Sequence, residues 1–305
     1  MPGTATRSAQ TQVALSPLSQ ALSQARDVAS LAKPRLSGLV VCTTAGGMWL
    51  APGHLSASRA LALLFGTTAV VGAANALNNY LERDVDALMR RTWDRPLPAG
   101  RLEPGVALAV GIGMPALALP VLSLAAGPLT ALLALVALAT YVCVYTPMKR
   151  RSTLALFVGA VPGAIPPLMG WTGVTGHMGT GGLALFAVLF IWQLPHFLAI
   201  SIYLKEDYAR GGFKVFALVH GDRAAKLWAA LTSLALVPVT VALVPLGLAG
   251  PAFGATAALL GMGLTAHAFL GLLDPAASTR WARSFFLLTL AYLTLLFAAL
   301  FLLGR

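Results

Sequence analysis

Apolar stretches of about 20 residues alternate with short polar connections along the chain at a period of roughly 25 to 30 residues, the spacing of a polypeptide that crosses a bilayer repeatedly. The apolar segments lie near 36–53, 59–81, 105–124, 127–146, 153–172, 182–203, 226–248, 252–273 and 284–303. A helix of about 20 residues spans roughly 30 Å of hydrocarbon, so the pattern predicts an all-α polytopic membrane protein of about nine transmembrane helices. Residues 1–28 are rich in Ser, Ala and Gln and lack the apolar core of a signal peptide; they read as a disordered tail, with 29–305 as a single transmembrane domain. No internal repeat and no soluble domain are evident. The long polar connections are 82–104 and 204–225.

Composition agrees, with 58% hydrophobic and 10% charged residues among 305 and a net charge of +11. Nine crossings put the termini on opposite sides, so the basic residues can be sorted by side. With the N-terminus cytoplasmic, that side receives Arg7, Arg26, Lys33 and Arg35, then Arg83, Arg90, Arg91, Arg95 and Arg101 after the second span. Lys149, Arg150 and Arg151 follow the fourth span, Lys205, Arg210, Lys214, Arg223 and Lys226 the sixth, and Arg280 and Arg283 the eighth. Only Arg59 and Arg305 fall opposite, leaving 19 of 21 on one side. The positive charge is therefore a topology signal, and no nucleic acid is needed to account for it. All ten acids share that side, which orientation does not require because acids contribute little to it. Cys42 and Cys143 sit in the first and fourth spans without CxxC spacing and read as small packing residues.

The second span ends in Asn75, Asn78 and Asn79 and runs into a charged stretch. Asn78, Glu82 and Asp86 recur at i, i+4 and i+8, which aligns their oxygens on one helix face; Asp84 falls on another face. Magnesium binds through one or two carboxylates together with substrate phosphates, and the guanidinium groups of Arg83, Arg90, Arg91 and Arg95 suit phosphate oxygens. The stretch thus fits a diphosphate site. It equally fits a solvated loop in which Glu82, Arg83 and Asp86 pair as surface ions. "RPLPAG" then ends the helix at Pro96 and Pro98, with a turn at Gly100.

In the sixth span Gln193 and His196 interrupt an apolar helix ahead of Lys205, Glu206, Asp207 and Arg210. Lipid cannot satisfy such groups, so they face the bundle interior. His196 fits a packed, hydrogen-bonded histidine or one that meets substrate. Asp207 and Glu206 share a membrane side with Glu82 and Asp86, which permits a second metal position facing the first. Lys149 in "YTPMKRRS" is the best anion holder of its loop, whereas Arg150 and Arg151 read as topology signals. Lys33 and Arg35 in "LAKPRLSG" fit either role.

Together "AKPR", "NNYLERDVDALMRRTWDRPLPAGR", "YTPMKR" and "WQLPHF" followed by "KEDY" resemble the protohaem farnesyltransferases of the intramembrane (UbiA-type) prenyltransferase superfamily, from about Leu31 to the C-terminus. The resemblance implies a nine-helix bundle whose central cavity is capped by the two polar loops. It implies farnesyl transfer from farnesyl diphosphate to a vinyl group of haem b with addition of water, giving haem O and diphosphate. Magnesium is the implied ion, and haem b is substrate rather than cofactor. By motif position Asn78, Glu82, Asp86 and Asp207 are the implied metal ligands. Asp86, Asp207 and His196 are the catalytic candidates, and Asn78, Arg83, Arg90, Arg91, Arg95, Lys149, Gln193 and Arg210 the substrate-holding ones. Glu82 departs from the superfamily's usual aspartate, adding a methylene between backbone and carboxylate. The lipid bilayer and a downstream haem-modifying or terminal oxidase protein are the implied partners. Short loops and the lack of a clear transit peptide favour a bacterial inner membrane over the mitochondrial one.

Three rivals remain at this point. A prenyltransferase of the same superfamily with an aromatic quinone precursor as acceptor lacks support from residues 192–197. A secondary transporter would place its sites near the bilayer midplane, often between repeats, whereas here the acids gather at one face. A haem-binding subunit without catalysis would bind pigment and release no diphosphate.

Overall fold

The computed structural model describes residues 17–273 and 278–303; residues 1–16, 274–277 and 304–305, with Arg7 and Arg305 of the charge distribution, and the Arg35 side chain lie outside the described residues. The helices are α1 (Pro17–Leu31), α2 (Pro34–Leu50), α3 (Ala57–Asp86), α4 (Pro104–Ala126), α5 (Pro128–Ala139), a π-helical turn at Thr140–Tyr145, α6 (Thr146–Met148), α7 (Ala155–Thr175), α8 (Thr180–Tyr203), α9 (Lys205–Arg210), α10 (Phe216–Val241), α11 (Pro251–Leu273) and α12 (Ser278–Leu303). Residues Pro128–Met148 form one continuous rod, giving eight helices among the described residues that are long and apolar enough to cross a membrane. The remaining expected crossing is α2, whose apolar part Ser37–Leu50 is shorter. Its 17 residues reach about 25 Å, the low end of what spans hydrocarbon.

Two boundaries differ from the hydropathy reading. The expected tail is helical from Pro17, because Val28 and Leu31 of α1 have an apolar partner surface in Ala76, Leu97, Leu102 and Ala107. The seventh segment, expected at 226–248, runs Phe216–Val241 with a break at Gly221 (φ 82°). Pro245 and the left-handed Gly247 end that helix although the residues around them stay apolar. Cys42 and Cys143, expected as packing residues, are free and exposed.

The bundle is assembled around α7, the most buried of the spans. One core joins α3, α4, α5 and α7 through Leu63, Val70, Leu122, Ala134 and Ile165. A larger one joins α7, α8, α10, α11 and α12 through Trp171, Leu185, Leu236, Phe253, Phe285 and Leu296. Helix α2 closes on α7 through glycines: a Cβ at Gly47 would lie 2.0 Å from the Pro167 carbonyl oxygen, and one at Gly170 equally near that of Thr44. Small residues permit such approach where lipid offers no hydrophobic drive between helices. Between the two cores runs a 240 Å³ cavity walled by Val40, Val70, Val71, Leu138, Tyr141, Tyr145, Pro162, Pro166 and Phe197, with Asn75 and Gln193 as its polar points.

Candidate active site

Helix α3 is 30 residues long, so it carries its last turns past the apolar segment to Asp86. On its inner face Asn78, Glu82 and Asp86 are buried, at 2%, 7% and 1% exposure. The expected stripe therefore exists and faces the bundle rather than solvent, which removes the surface-ion alternative for these three residues. Buried carboxylates need partners, and each finds a cation from a different segment. Arg95, brought back by the turns after α3, donates from Nη1 to Asp86 Oδ2 at 2.7 Å and to Asn79 Oδ1 at 3.3 Å. Lys149, just beyond α6, sets its ammonium against Glu82. That contact lies off the hydrogen-bond direction and leaves the buried Glu82 Oε1 without a directed donor.

A third cation arrives through a strained turn. Lys33 adopts a left-handed conformation (φ 47°, ψ 67°) directly before Pro34, which its own Cβ and the following proline ring both oppose. Three asparagines hold it there. Asn75 donates to the Ala32 carbonyl and Asn79 to that of Leu31, each at 3.3 Å. Asn78 Oδ1 accepts from Lys33 Nζ at 3.2 Å while its amide donates to Thr146 Oγ1. The amide of Asn78 is thus engaged at both ends, its oxygen by Lys33 and its nitrogen by Thr146, and the oxygen keeps a second lone pair. Burial of the ammonium lowers the Lys33 pKa to about 7, Arg95 and Lys149 push it the same way, and Glu82 and Asp86 oppose them.

The second loop does meet the first. Asp207, on the one-and-a-half-turn α9, accepts the Arg90 backbone N–H at 3.2 Å and Arg210 Nη1 at 2.9 Å. Val85, Met89 and Phe213 pack between the loops. Both bonds fall on Asp207 Oδ1, and among the described residues no three His, Cys, Asp or Glu side chains gather into one metal cluster. Magnesium does not require one: Glu82 and Asp86 are two hard-oxygen donors one helical turn apart, and Glu82 Oε1 meets only the Lys149 ammonium, a contact that a metal-bound anion can take over.

Other expected residues fall outside the stripe. Arg83, one residue round the helix from Glu82, folds back over the Tyr80 ring at 4.8 Å and lies 3.7 Å from Asp84. Arg90 contributes its backbone, and its side chain is exposed. Arg91 lies 5.8 Å above the Tyr208 ring. Gln193 does line the cavity, donating to the carbonyls of Ala160 and Leu189, both at 3.0 Å. His196 is packed between Trp192 and Phe286. The Thr289 hydroxyl donates to the Phe286 carbonyl at 2.6 Å, so it accepts from His196 Nδ1–H at 2.8 Å. His196 lines neither cavity beside the stripe, and the packed reading fits it because a histidine in a span must find its partner within the bundle. Of residues 192–197, Gln193 and Phe197 line the cavity. Sequence reasoning passed over Thr146, Tyr145 and Thr289. Thr146 and Tyr145 lay inside a motif already singled out; Thr289 sits in an apolar run and carried no signal.

The stripe holds three cations against two carboxylates, leaving one positive charge in excess when Lys33 is protonated. A prenyl diphosphate bound to one magnesium ion carries one negative charge, which matches it. Directly below lies the apolar cavity. The arrangement can hold a phosphorylated head in the polar end and an apolar chain beneath it.

Comparison with known proteins follows the same line. Residues 39–303 match the model of the UbiA prenyltransferase family. A protoheme IX farnesyltransferase of Anaeromyxobacter dehalogenans (strain 2CP-C) is 66% identical over 93% of this chain and 95% of its own. One of Myxococcus xanthus (strain DK1622) is 51% identical over 90% and 94%. Among solved structures a digeranylgeranylglyceryl phosphate synthase superposes with a TM-score of 0.78 at 13% identity, over 92% of this chain and 99% of that one. An Archaeoglobus fulgidus UbiA homolog bound to DMAPP and Mg2+ does so with 0.64 at 16%, over 91% and 100%; at such identities these two speak for the fold alone.

Proposed function

The chain belongs to the UbiA prenyltransferase family, in its branch of protohaem IX farnesyltransferases, and from that membership we propose how its own residues carry out the transfer. The enzyme moves the farnesyl group of farnesyl diphosphate to a vinyl group of protohaem (haem b), with addition of water, giving haem O and diphosphate. The observation that carries the residue assignment is the buried pair Glu82 and Asp86, each opposed by a cation at the polar head of an apolar cavity.

Glu82 and Asp86 would hold magnesium, which would supply the positive charge that neutralises the leaving diphosphate. Arg95 and Lys149, turned from the carboxylates toward the anion, take the diphosphate oxygens, and Lys33 adds a third donor as its proton is drawn in by the negative charge. The apolar wall of Val70, Val71, Leu138 and Phe197 receives the farnesyl chain and keeps bulk water from the allylic carbon. The C1–O bond breaks with its electron pair leaving on diphosphate. The vinyl π electrons then form the new C–C bond to C1. Positive charge remains on the carbon beside the macrocycle, where water adds and gives up a proton. Asp207 acts as a positioning residue, tying α9 to the Arg90 turn and so closing the loops over the head group.

The loops and the N-terminus face the cytoplasm of a bacterial inner membrane, as the distribution of basic residues supports. The product passes to a downstream haem-modifying or terminal oxidase protein. The test is mass spectrometry of pigment recovered after incubating the purified full chain with farnesyl diphosphate, magnesium and protohaem. A gain of one farnesyl plus water, with diphosphate released, is expected; prenylation of an aromatic acid with unchanged haem would favour the quinone-type relative.

A further inference from the structure

Beside the stripe a second pocket of 150 Å³ opens at the loop face. Arg91, Lys149, Lys214 and Tyr208 stand around it, and Tyr145 and Phe197 form a wall that it shares with the apolar cavity. Lys149 faces Glu82 and is assigned to the diphosphate above. Arg91 and Lys214 have no carboxylate partner among the described residues. The Arg91 guanidinium stacks over Tyr208, and the Lys214 backbone is fixed at the pocket by its N–H, which donates to the Lys149 carbonyl at 2.8 Å. Orientation in the membrane demands a side and no concave surface; all four residues are exposed, yet Arg150 and Arg151 stand outside the pocket while Arg91 and Lys214 line it. Two exposed cations without a carboxylate partner, standing at the rim of an aromatic-walled pocket, call for an anionic, flat ligand.

Protohaem has that chemistry. It carries two propionates on the edge of the macrocycle opposite its vinyl groups. The pocket's enclosed volume equals that of about five waters, so it takes one edge of a macrocycle and leaves the rest in the mouth. Resting on the protohaem reading above, we propose that Arg91 and Lys214 bind the propionates of the acceptor, which directs a vinyl edge to the wall of Tyr145 and Phe197 where the allylic carbon lies. This moves Arg91 from the diphosphate, to which its place in the sequence assigned it, to the acceptor.

The test compares protohaem with its dimethyl ester, whose propionates are masked, in the full chain and in the R91Q/K214Q variant. In the parent, masking should raise the acceptor KM about tenfold or more, the effect of losing charge-assisted hydrogen bonds. In the variant the protohaem KM should rise to that of the ester, both acceptors should behave alike, and the KM for farnesyl diphosphate should stay within about twofold. The K214R variant, which keeps the charge, should discriminate the two acceptors as the parent does and controls for folding. Unchanged discrimination in R91Q/K214Q overturns the proposal, as does a rise in the farnesyl diphosphate KM instead. A parent that farnesylates neither pigment defeats the underlying reading, a result distinct from both.

Discussion

Replacing Asp86 by asparagine keeps the shape of the side chain and removes its charge, which separates its two roles. The carboxylate is 1% exposed and lies 2.7 Å from Arg95 Nη1. At that distance an effective dielectric near 20 gives a gross attraction of about 6 kcal/mol. Desolvation offsets much of it, and breaking one side of a buried pair costs about 3–5 kcal/mol because the partner charge stays behind. Asp86→Asn should therefore lower stability by that amount. Catalytically it removes one of two metal-holding oxygens, a loss of about 10²–10³ in kcat by analogy with deleting one transition-state contact. The double variant Asp86→Asn/Arg95→Gln distinguishes the effects. With both charges gone the stability penalty should largely disappear, while turnover should remain lost. The assay pairs thermal melting in detergent with diphosphate release at saturating magnesium. Recovery of turnover in the double variant, or turnover of Asp86→Asn within about tenfold of the parent, would refute the assignment of Asp86 to the metal.

Three further outcomes are expected. Gly163→Ala places a Cβ 2.0 Å from Gln193 Oε1, so the amide must leave its bonds to Ala160 and Leu189, and overpacking of this kind costs about 1–3 kcal/mol; the KM for farnesyl diphosphate should rise with little change in head-group binding by inorganic diphosphate. His196→Ala loses ring packing and the Thr289 bond and should destabilise by about 2–4 kcal/mol, with kcat of the folded fraction within about threefold of the parent; a large kcat loss at unchanged melting temperature would return His196 to the chemistry. Chelation with EDTA should stop diphosphate release and added magnesium restore it, and release that survives chelation would sink the Glu82–Asp86 metal assignment.

Much of the architecture is readable from the chain because it depends on local properties. The hydropathy period marks the spans, since lipid admits only segments that satisfy their own backbone, and the i, i+4, i+8 spacing sets Asn78, Glu82 and Asp86 on one face whatever that face meets. The same logic misplaced the seventh span, where Pro245 and Gly247 overrule an apolar composition. Spacing also could not divide the arginines. Arg83, Arg90, Arg91 and Arg95 look alike within one loop, yet Arg95 returns to Asp86 and Arg91 turns to a different pocket.

What the sequence alone determined is the class of protein and the stripe that carries its buried acids, because each follows from neighbours within a turn or two of helix. Only the tertiary structure decided which cation meets which acid, that Lys33 is bent into the site by three asparagines, that Asp207 joins the loops across 117 residues, and that His196 Nδ1 meets Thr289, 93 residues away. Those pairings depend on how helices pack, and buried polar groups take whatever partner the packed bundle brings within reach.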